Sequence, residues 1–76
     1  MKEFIEYLVK NIVNDHRSVN IQCFEGQKGV IVEIKVAQPD IGKVIGNHGK
    51  TIKALRTIAM MVGAKLSKKI KLEIIE

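Results

Sequence analysis

Two glycines within a lysine-rich stretch are the residues of this chain best placed to do chemistry. Gly46 and Gly49 have two residues between them and lie between segments with helical patterns, so they predict a very tight turn from one helix to the next. We expect the first helix to end on Gly46 and the second to begin near Gly49, where the amides of Lys50 and Thr51 lack intrahelical partners. These donors and the positive end of the helix dipole favour an anion, of which phosphate is the obvious one.

Basic side chains surround the predicted turn. Lys43, Lys50 and Lys53 flank it, and Arg56 follows on the exposed face expected for the second helix. The formal charge is +5, and one acidic residue, Asp40, accompanies the basic residues of the region from 40 to 71. Such asymmetry is typical of a nucleic-acid binder, although a basic surface kept for solubility would look the same.

Other chemistry finds little support in the sequence. His16 and His48 are isolated, without a pattern that pairs either with an orienting acid, and there is no Walker lysine, cysteine cluster or metal-ligand spacing. We therefore expect a binding protein with no cofactor or metal, not an enzyme. His48 is either a polar loop residue or a phosphate ligand, and as a ligand it would strengthen binding as the pH falls through the histidine titration.

Apolar periodicity predicts the elements that position the turn. Residues 2 to 13 have the spacing of an amphipathic helix, and a hairpin with a turn at 25 to 29 follows. Asp40 is expected to cap a short helix that runs through Ile45. The next helix should run to about Val62 and be terminated by Gly63. The inward rows of the three strands are expected to be Val19, Ile21 and Cys23; Val30, Val32, Ile34 and Val36; and Ile70, Leu72 and Ile74.

The element order is therefore α-β-β-α-α-β. A two-helix crossover joins the second and third strands, and such crossovers connect parallel strands in a right-handed sense. The sequence predicts an α+β fold in which three helices cover one face of a mixed three-stranded sheet. Residues 1–76 are too few for more than one domain.

The run from residue 44 to residue 52, VIGNHGKTI, resembles the VIGxxGxxI signature of the KH domain. The wider run from Asp40 to Ala59 is similar to the small single-domain KH proteins of bacteria, the KhpA family, and the element order is that of the type II KH fold. This resemblance implies that phosphates of a single strand pass over Gly46, Asn47, His48 and Gly49. Bases would then lie in an apolar groove floored by Gly42, Val44 or Ile45 and bounded by a sheet edge.

The resemblance also implies partners. Members of the family are RNA chaperones or post-transcriptional regulators that pair with a larger KH-containing protein, KhpB, and are tied to cell-length control. A different reading is a dimerisation module in which RNA binding is weak or secondary. Apolar residues expected at the surface could serve such an interface, namely Phe24, Ile31, Ile75, Met60 and Met61.

The compartment follows from simple features of the chain. A single cysteine, Cys23, cannot form an internal disulfide, which fits a reducing environment. No apolar run approaches the length of a membrane span, and the first residues lack the features of a signal peptide. The sequence therefore predicts a cytoplasmic protein.

Overall fold

The computed structural model describes residues 2–75 and places helices and strands in the predicted order. The α-helices are α1 (Lys2–Lys10), α2 (Ile41–Ile45) and α3 (Lys50–Lys65), and the strands are β1 (Asn20–Glu25), β2 (Gly29–Lys35) and β3 (Lys69–Ile75). Short 3-10 turns at His16–Ser18, Gln38–Asp40 and Asn47–Gly49 connect them. Between residues 2 and 75, no helix is both long enough and apolar enough to cross a lipid bilayer.

The sheet has the predicted mixed topology. Its strand order is β1-β2-β3. The first two strands pair antiparallel, with Ile21 opposite Ile34, and the last two pair parallel, with Val32 opposite Leu72. Since β2 occupies the centre, β1 and β3 each have one edge without a neighbouring strand in this sheet.

One face of the sheet carries the core. The side chains that point inward from the strands are buried against apolar residues of all three helices, and the alternating pattern predicted for β2 is confirmed. In the described range 2–75 no helix covers the opposite face, and Phe24 and Ile31 are exposed there. The fully buried side chains of the core include Ile5, Val9, Ile21, Val32, Ile34 and Val44.

Gly63 does not terminate α3, contrary to the prediction. The helix continues to Lys65, and its end is a Schellman motif in which the Lys68 amide donates to the Gly63 carbonyl at 2.8 Å and Ser67 takes the left-handed conformation (φ 56°). Gly63 is buried, and a Cβ placed there would lie 2.5 Å from the carbonyl oxygen of Lys68 and 3.0 Å from Ile70. The glycine therefore allows α3 to approach the start of β3 closely.

The expected cap at Asp40 is also wrong. Asp40 occupies the N-cap position of α2, but its side chain makes no capping hydrogen bond. Instead the buried carboxylate accepts hydrogen bonds from the amides of Asp15 at 2.9 Å and Asn14 at 3.2 Å. It thereby ties the segment that follows α1 to the start of α2. The first helix is shorter than predicted, ending at Lys10 instead of residue 13.

The same contacts change the acidity of Asp40. The hydrogen bond from the Asp15 amide, with smaller contributions from the Asn14 amide and the nearby Lys43 ammonium group, holds the pKa of the carboxyl below its ordinary value of 3.8. Burial opposes this effect but does not reverse it. The carboxylate therefore stabilises the fold above the unfolded pKa, and this contribution is lost as the pH falls through the folded pKa.

We expect Asp40→Asn to lower the thermal midpoint at neutral pH, because an amide nitrogen cannot accept the hydrogen bond that a carboxylate oxygen accepts. The deficit relative to the unmodified protein should stay constant above about pH 5 and shrink below about pH 4. Thermal denaturation, followed by circular dichroism between about pH 3 and pH 7, measures this deficit in the thermal midpoint. Substitution of the exposed Glu3, Glu3→Gln, is the control for the loss of one carboxylate. A deficit that does not change with pH would contradict the role of the charge.

Candidate nucleic-acid interface

The turn between α2 and α3 depends on Gly46. The helical ladder of α2 ends where the Gly46 amide donates to the Gly42 carbonyl at 2.8 Å, and Gly46 then takes φ 81° and ψ 171°. That backbone region is essentially restricted to glycine. A Cβ at this position would also lie 2.6 Å from Thr51 Cβ and 2.7 Å from the Thr51 amide nitrogen. Gly46 is therefore required both for its backbone conformation and for the space it leaves.

Gly49 has a different role in the same turn. It takes the left-handed conformation (φ 73°, ψ 16°), but apart from its two neighbours in the chain no residue between 2 and 75 has an atom within 4 Å of the position a Cβ would occupy. A side chain here would project into open space instead of into the protein. The backbone at Gly49 is thus accessible to a ligand, as the prediction of an unshielded turn requires.

The two residues between the glycines form an exposed concavity of main chain. Asn47 keeps helix-like dihedral angles, whereas His48 is left-handed (φ 55°, ψ 28°), which is uncommon for a residue with a side chain. A right-handed residue followed by a left-handed one turns successive amide groups to the same side, and such nests bind anions. Both residues are exposed, so this concavity faces solvent.

The structure changes which amides are available there. The prediction assigned the anion-binding role to the amides of Lys50 and Thr51, but the Lys50 amide donates to the Asn47 carbonyl. The Gly49 amide donates to the Gly46 carbonyl at 3.1 Å. Because the loop closes on itself as a 3-10 turn, the amides of Asn47 and His48, which precede α3, become the main candidates. Periodicity could not have located them, since the left-handed conformation of His48 carries no sequence signal.

The predicted basic side chains differ in their surroundings. Lys50 and Lys53 are exposed on the first turn of α3, next to the loop. Lys43 lies 3.8 Å from the Asp40 carboxylate, so part of its charge is matched. Arg56 donates from its guanidinium group to the carbonyl oxygen of Leu72 in β3 at 3.4 Å, which turns it towards the sheet.

The residues predicted to form the apolar groove beside the loop differ in burial. Val44 is completely buried in the core, whereas Ile45 is 37 % exposed. Gly42 is exposed and shares a face of α2 with Ile45. Outside the adjacent residues and the backbone of the helix, no atom of the described chain lies within 4 Å of the position of a Cβ at Gly42. Of the two candidates for the groove floor, Ile45 is therefore the one at the surface. The described part of the chain has no group of three or more histidine, cysteine or acidic residues that could hold a metal ion.

A Gly-x-x-Gly turn between two helices, set in a crossover between parallel strands of an α+β fold, defines a KH domain. The family model described as "KhpA/KhpB, KH domain" matches residues 2–74. The chain belongs to this family.

Several relatives are similar over the full length of the chain. An RNA-binding protein KhpA from Chlamydia caviae is 45 % identical over 76 residues, which is 100 % of this chain and 97 % of the relative. The protein of the same name from Aquifex aeolicus is 38 % identical over 76 residues, covering 100 % and 96 %. That from Borreliella burgdorferi is 38 % identical over 74 residues, covering 97 % and 90 %. No solved structure shows a significant match.

The two glycines should respond differently to substitution. Gly46→Ala combines a glycine-only conformation with a clash against Thr51, so we expect it to lower the free energy of unfolding by more than about 3 kcal/mol. Gly49→Ala adds only the cost of a left-handed residue, about 1 to 2 kcal/mol. Urea denaturation of both variants measures the difference. Equal losses would show that the close contact at Gly46 is not what the turn depends on.

Proposed function

We propose that this protein binds single-stranded RNA and that phosphates of the strand contact the loop Gly46–Gly49. The observation that carries the proposal is the backbone of the exposed residues Asn47 and His48, whose right-handed and left-handed conformations form a nest of the kind that binds anions, next to the start of a sixteen-residue helix. Relatives named RNA-binding protein KhpA support RNA as the ligand. A single strand is favoured over a duplex because its unstacked bases expose their faces and edges.

Side chains extend the phosphate site beyond the loop. Lys50 and Lys53 have the exposure to contact phosphates on either side of the nest. Lys43 would share its charge with Asp40, and Arg56 would have to break its hydrogen bond to the Leu72 carbonyl or keep it while it contacts a phosphate. We therefore expect both to contribute less to RNA affinity than Lys50 and Lys53. His48 would act mainly through its main chain, with its exposed side chain as an additional donor.

Bases would lie against the surface formed by Gly42 and Ile45, which is apolar and open. Neither this surface nor the loop contains a phenylalanine, tyrosine or tryptophan. Stacking of bases on such large aromatic rings, worth about 1 to 3 kcal/mol per base, is therefore missing at this site, and the imidazole of His48 is the one smaller ring beside it. We expect binding there to be weak and to have little sequence preference, as suits an RNA chaperone or a post-transcriptional regulator.

When one domain binds weakly, a second domain bound to the same RNA strand raises the overall affinity. The matching family includes both KhpA and KhpB, so we propose a larger KH-containing protein of the KhpB type as a partner. The second candidate function, a protein-interaction module, is favoured by apolar side chains outside the loop, since Tyr7 and Met61 are both more than half exposed.

The double variant Asn47→Asp/His48→Asp tests the phosphate site. Two carboxylates at the nest should repel phosphate and abolish binding to single-stranded RNA, while the thermal midpoint stays nearly unchanged because both side chains are exposed. Fluorescence anisotropy with labelled oligouridine measures the affinity.

The matched control adds the same charge elsewhere. Asn20→Asp/Gln22→Glu places two carboxylates on the exposed outer face of β1, with Asn20 opposite Lys35 in the sheet. This control should retain binding. Unchanged binding by the loop variant would rule out the loop as the site. A protein that binds no RNA in either form but has the mass of a dimer would favour the interaction module.

A further inference from the structure

A groove outside the loop site combines apolar and basic residues. Its volume is about 870 Å³, and apolar side chains from both layers line it: Phe24 and Ile31 from the outer face of the sheet, Ile70 from β3, and Met60 from α3. Phe24 and Ile31 are 52 % and 41 % exposed and lie opposite each other in the β1–β2 pairing. We refer to this surface as the Phe24 groove.

The rim of the Phe24 groove is positively charged. Lys28, Lys68, Lys69 and Lys71 line it, and among the lining residues in the range 2–75 the one acidic residue is Glu25. Glu25 is paired with Lys68 at 3.2 Å, whereas within residues 2–75 the other three lysines form no salt bridge. Four lysines against one paired glutamate give the rim a net positive charge, which complements a polyanion, although Glu33 and Glu73 follow on the same face of the sheet.

A continuous flank of α3 connects this groove to the loop. Lys53, Arg56, Met60 and Ala64 follow one another at intervals of three and four residues, so they share one face of the helix. The hydrogen bond from Arg56 to the Leu72 carbonyl shows that this face is turned towards β3. It starts beside the glycine loop and reaches the groove at Met60 and Ala64, a distance of about 17 Å along the helix.

The groove also supplies what the loop site lacks. Phe24 presents an exposed aromatic ring among lysines, and an aromatic ring beside basic residues is the usual platform for an unpaired base. A second copy of this chain suits the surface less well. Two copies that met groove to groove would bring Lys28, Lys69 and Lys71 of each copy against those of the other, and like charges repel.

We propose that the Phe24 groove is a second contact for the same RNA strand, with a base stacked on Phe24 and phosphates held by Lys28, Lys69 and Lys71. This inference rests on the proposed function, because the strand reaches the groove from the loop along the Lys53–Ala64 flank. A short oligonucleotide would occupy the loop site alone, and a longer one would occupy both sites.

Strand length and substitution together test this proposal. Affinities are measured by fluorescence anisotropy for oligouridines of about four nucleotides, which fill the loop site, and of about twelve nucleotides, which span both sites. Phe24→Ala should weaken binding of the longer strand about tenfold and leave the shorter one unchanged. Phe24→Tyr should restore the affinity. Tyr7→Ala removes another exposed aromatic ring and should change neither.

Charge variants provide an independent readout. With the longer strand, Lys69→Glu/Lys71→Glu should reduce the slope of log affinity against log salt by about 0.7 for each phosphate that the protein no longer neutralises. Lys35→Glu, an exposed lysine on the same sheet face but outside the lining of the groove, should leave the slope nearly unchanged.

Three outcomes would overturn the proposal. In the first, a folded Phe24→Ala variant binds the longer strand as tightly as the unmodified protein. In the second, Phe24→Ala leaves RNA affinity unchanged but converts a dimer to a monomer in sedimentation, so that the groove is a self-association surface. In the third, the loop variant Asn47→Asp/His48→Asp binds normally while Phe24→Ala loses both oligonucleotides. The loop proposal then fails, and the groove is a primary site instead of a second one.

Discussion

The contact between Gly46 and Thr51 is the constraint on which the glycine loop depends. The first residue after α2 packs directly on the first turn of α3, at a distance that leaves no room for a Cβ. This contact forces the chain into a conformation that only glycine adopts readily, and the reversal that follows places His48 and Gly49 in left-handed conformations. His48 is the strained residue of this turn, because a left-handed conformation is uncommon for a residue with a Cβ, and such strain persists only where surrounding structure enforces it. Here the enforcing structure is the pair of helices on either side, and the result is main chain held open towards solvent.

The rest of the fold holds the two helices in place. Asp40 ties the start of α2 to the segment after α1, through two main-chain hydrogen bonds to one buried carboxylate. Gly63 lets the other end of α3 pack against the start of β3, and Arg56 joins the middle of the helix to Leu72. The loop is thus positioned from both directions by contacts with the sheet and with the N-terminal segment. A small domain with few aromatic residues can in this way present a rigid site, although its core consists mainly of aliphatic side chains.

Much of the architecture could be predicted from the sequence, and the errors share a physical cause. The alternation from Val30 to Val36 and the helical spacing from Ile52 to Ala59 identified core faces correctly, because burial imposes those periods directly. The sequence predicts local roles for Gly63 as a helix stop and for Asp40 as a helix cap. In the structure Gly63 allows close packing against residues beyond the end of α3, and Asp40 accepts a hydrogen bond from the distant Asp15 amide. The prediction of the anion-binding amides was also wrong because it considered only the helix start. The loop closes as a 3-10 turn that uses the Lys50 amide, which leaves the amides of Asn47 and His48 as the candidates. The groove around Phe24 combines β1, β2, α3 and β3, and no single stretch of sequence contains it.

We propose that main-chain amides of the loop receive the phosphates of a single RNA strand. Amide chemical shifts, followed by NMR while unlabelled oligouridine is added to ¹⁵N-labelled protein, test it most directly because they report on each amide separately. We expect the largest shifts at Asn47, His48 and the residues that follow at the start of α3. Shifts confined to other surfaces, with the amides of Asn47 and His48 unmoved at saturating RNA, would contradict it.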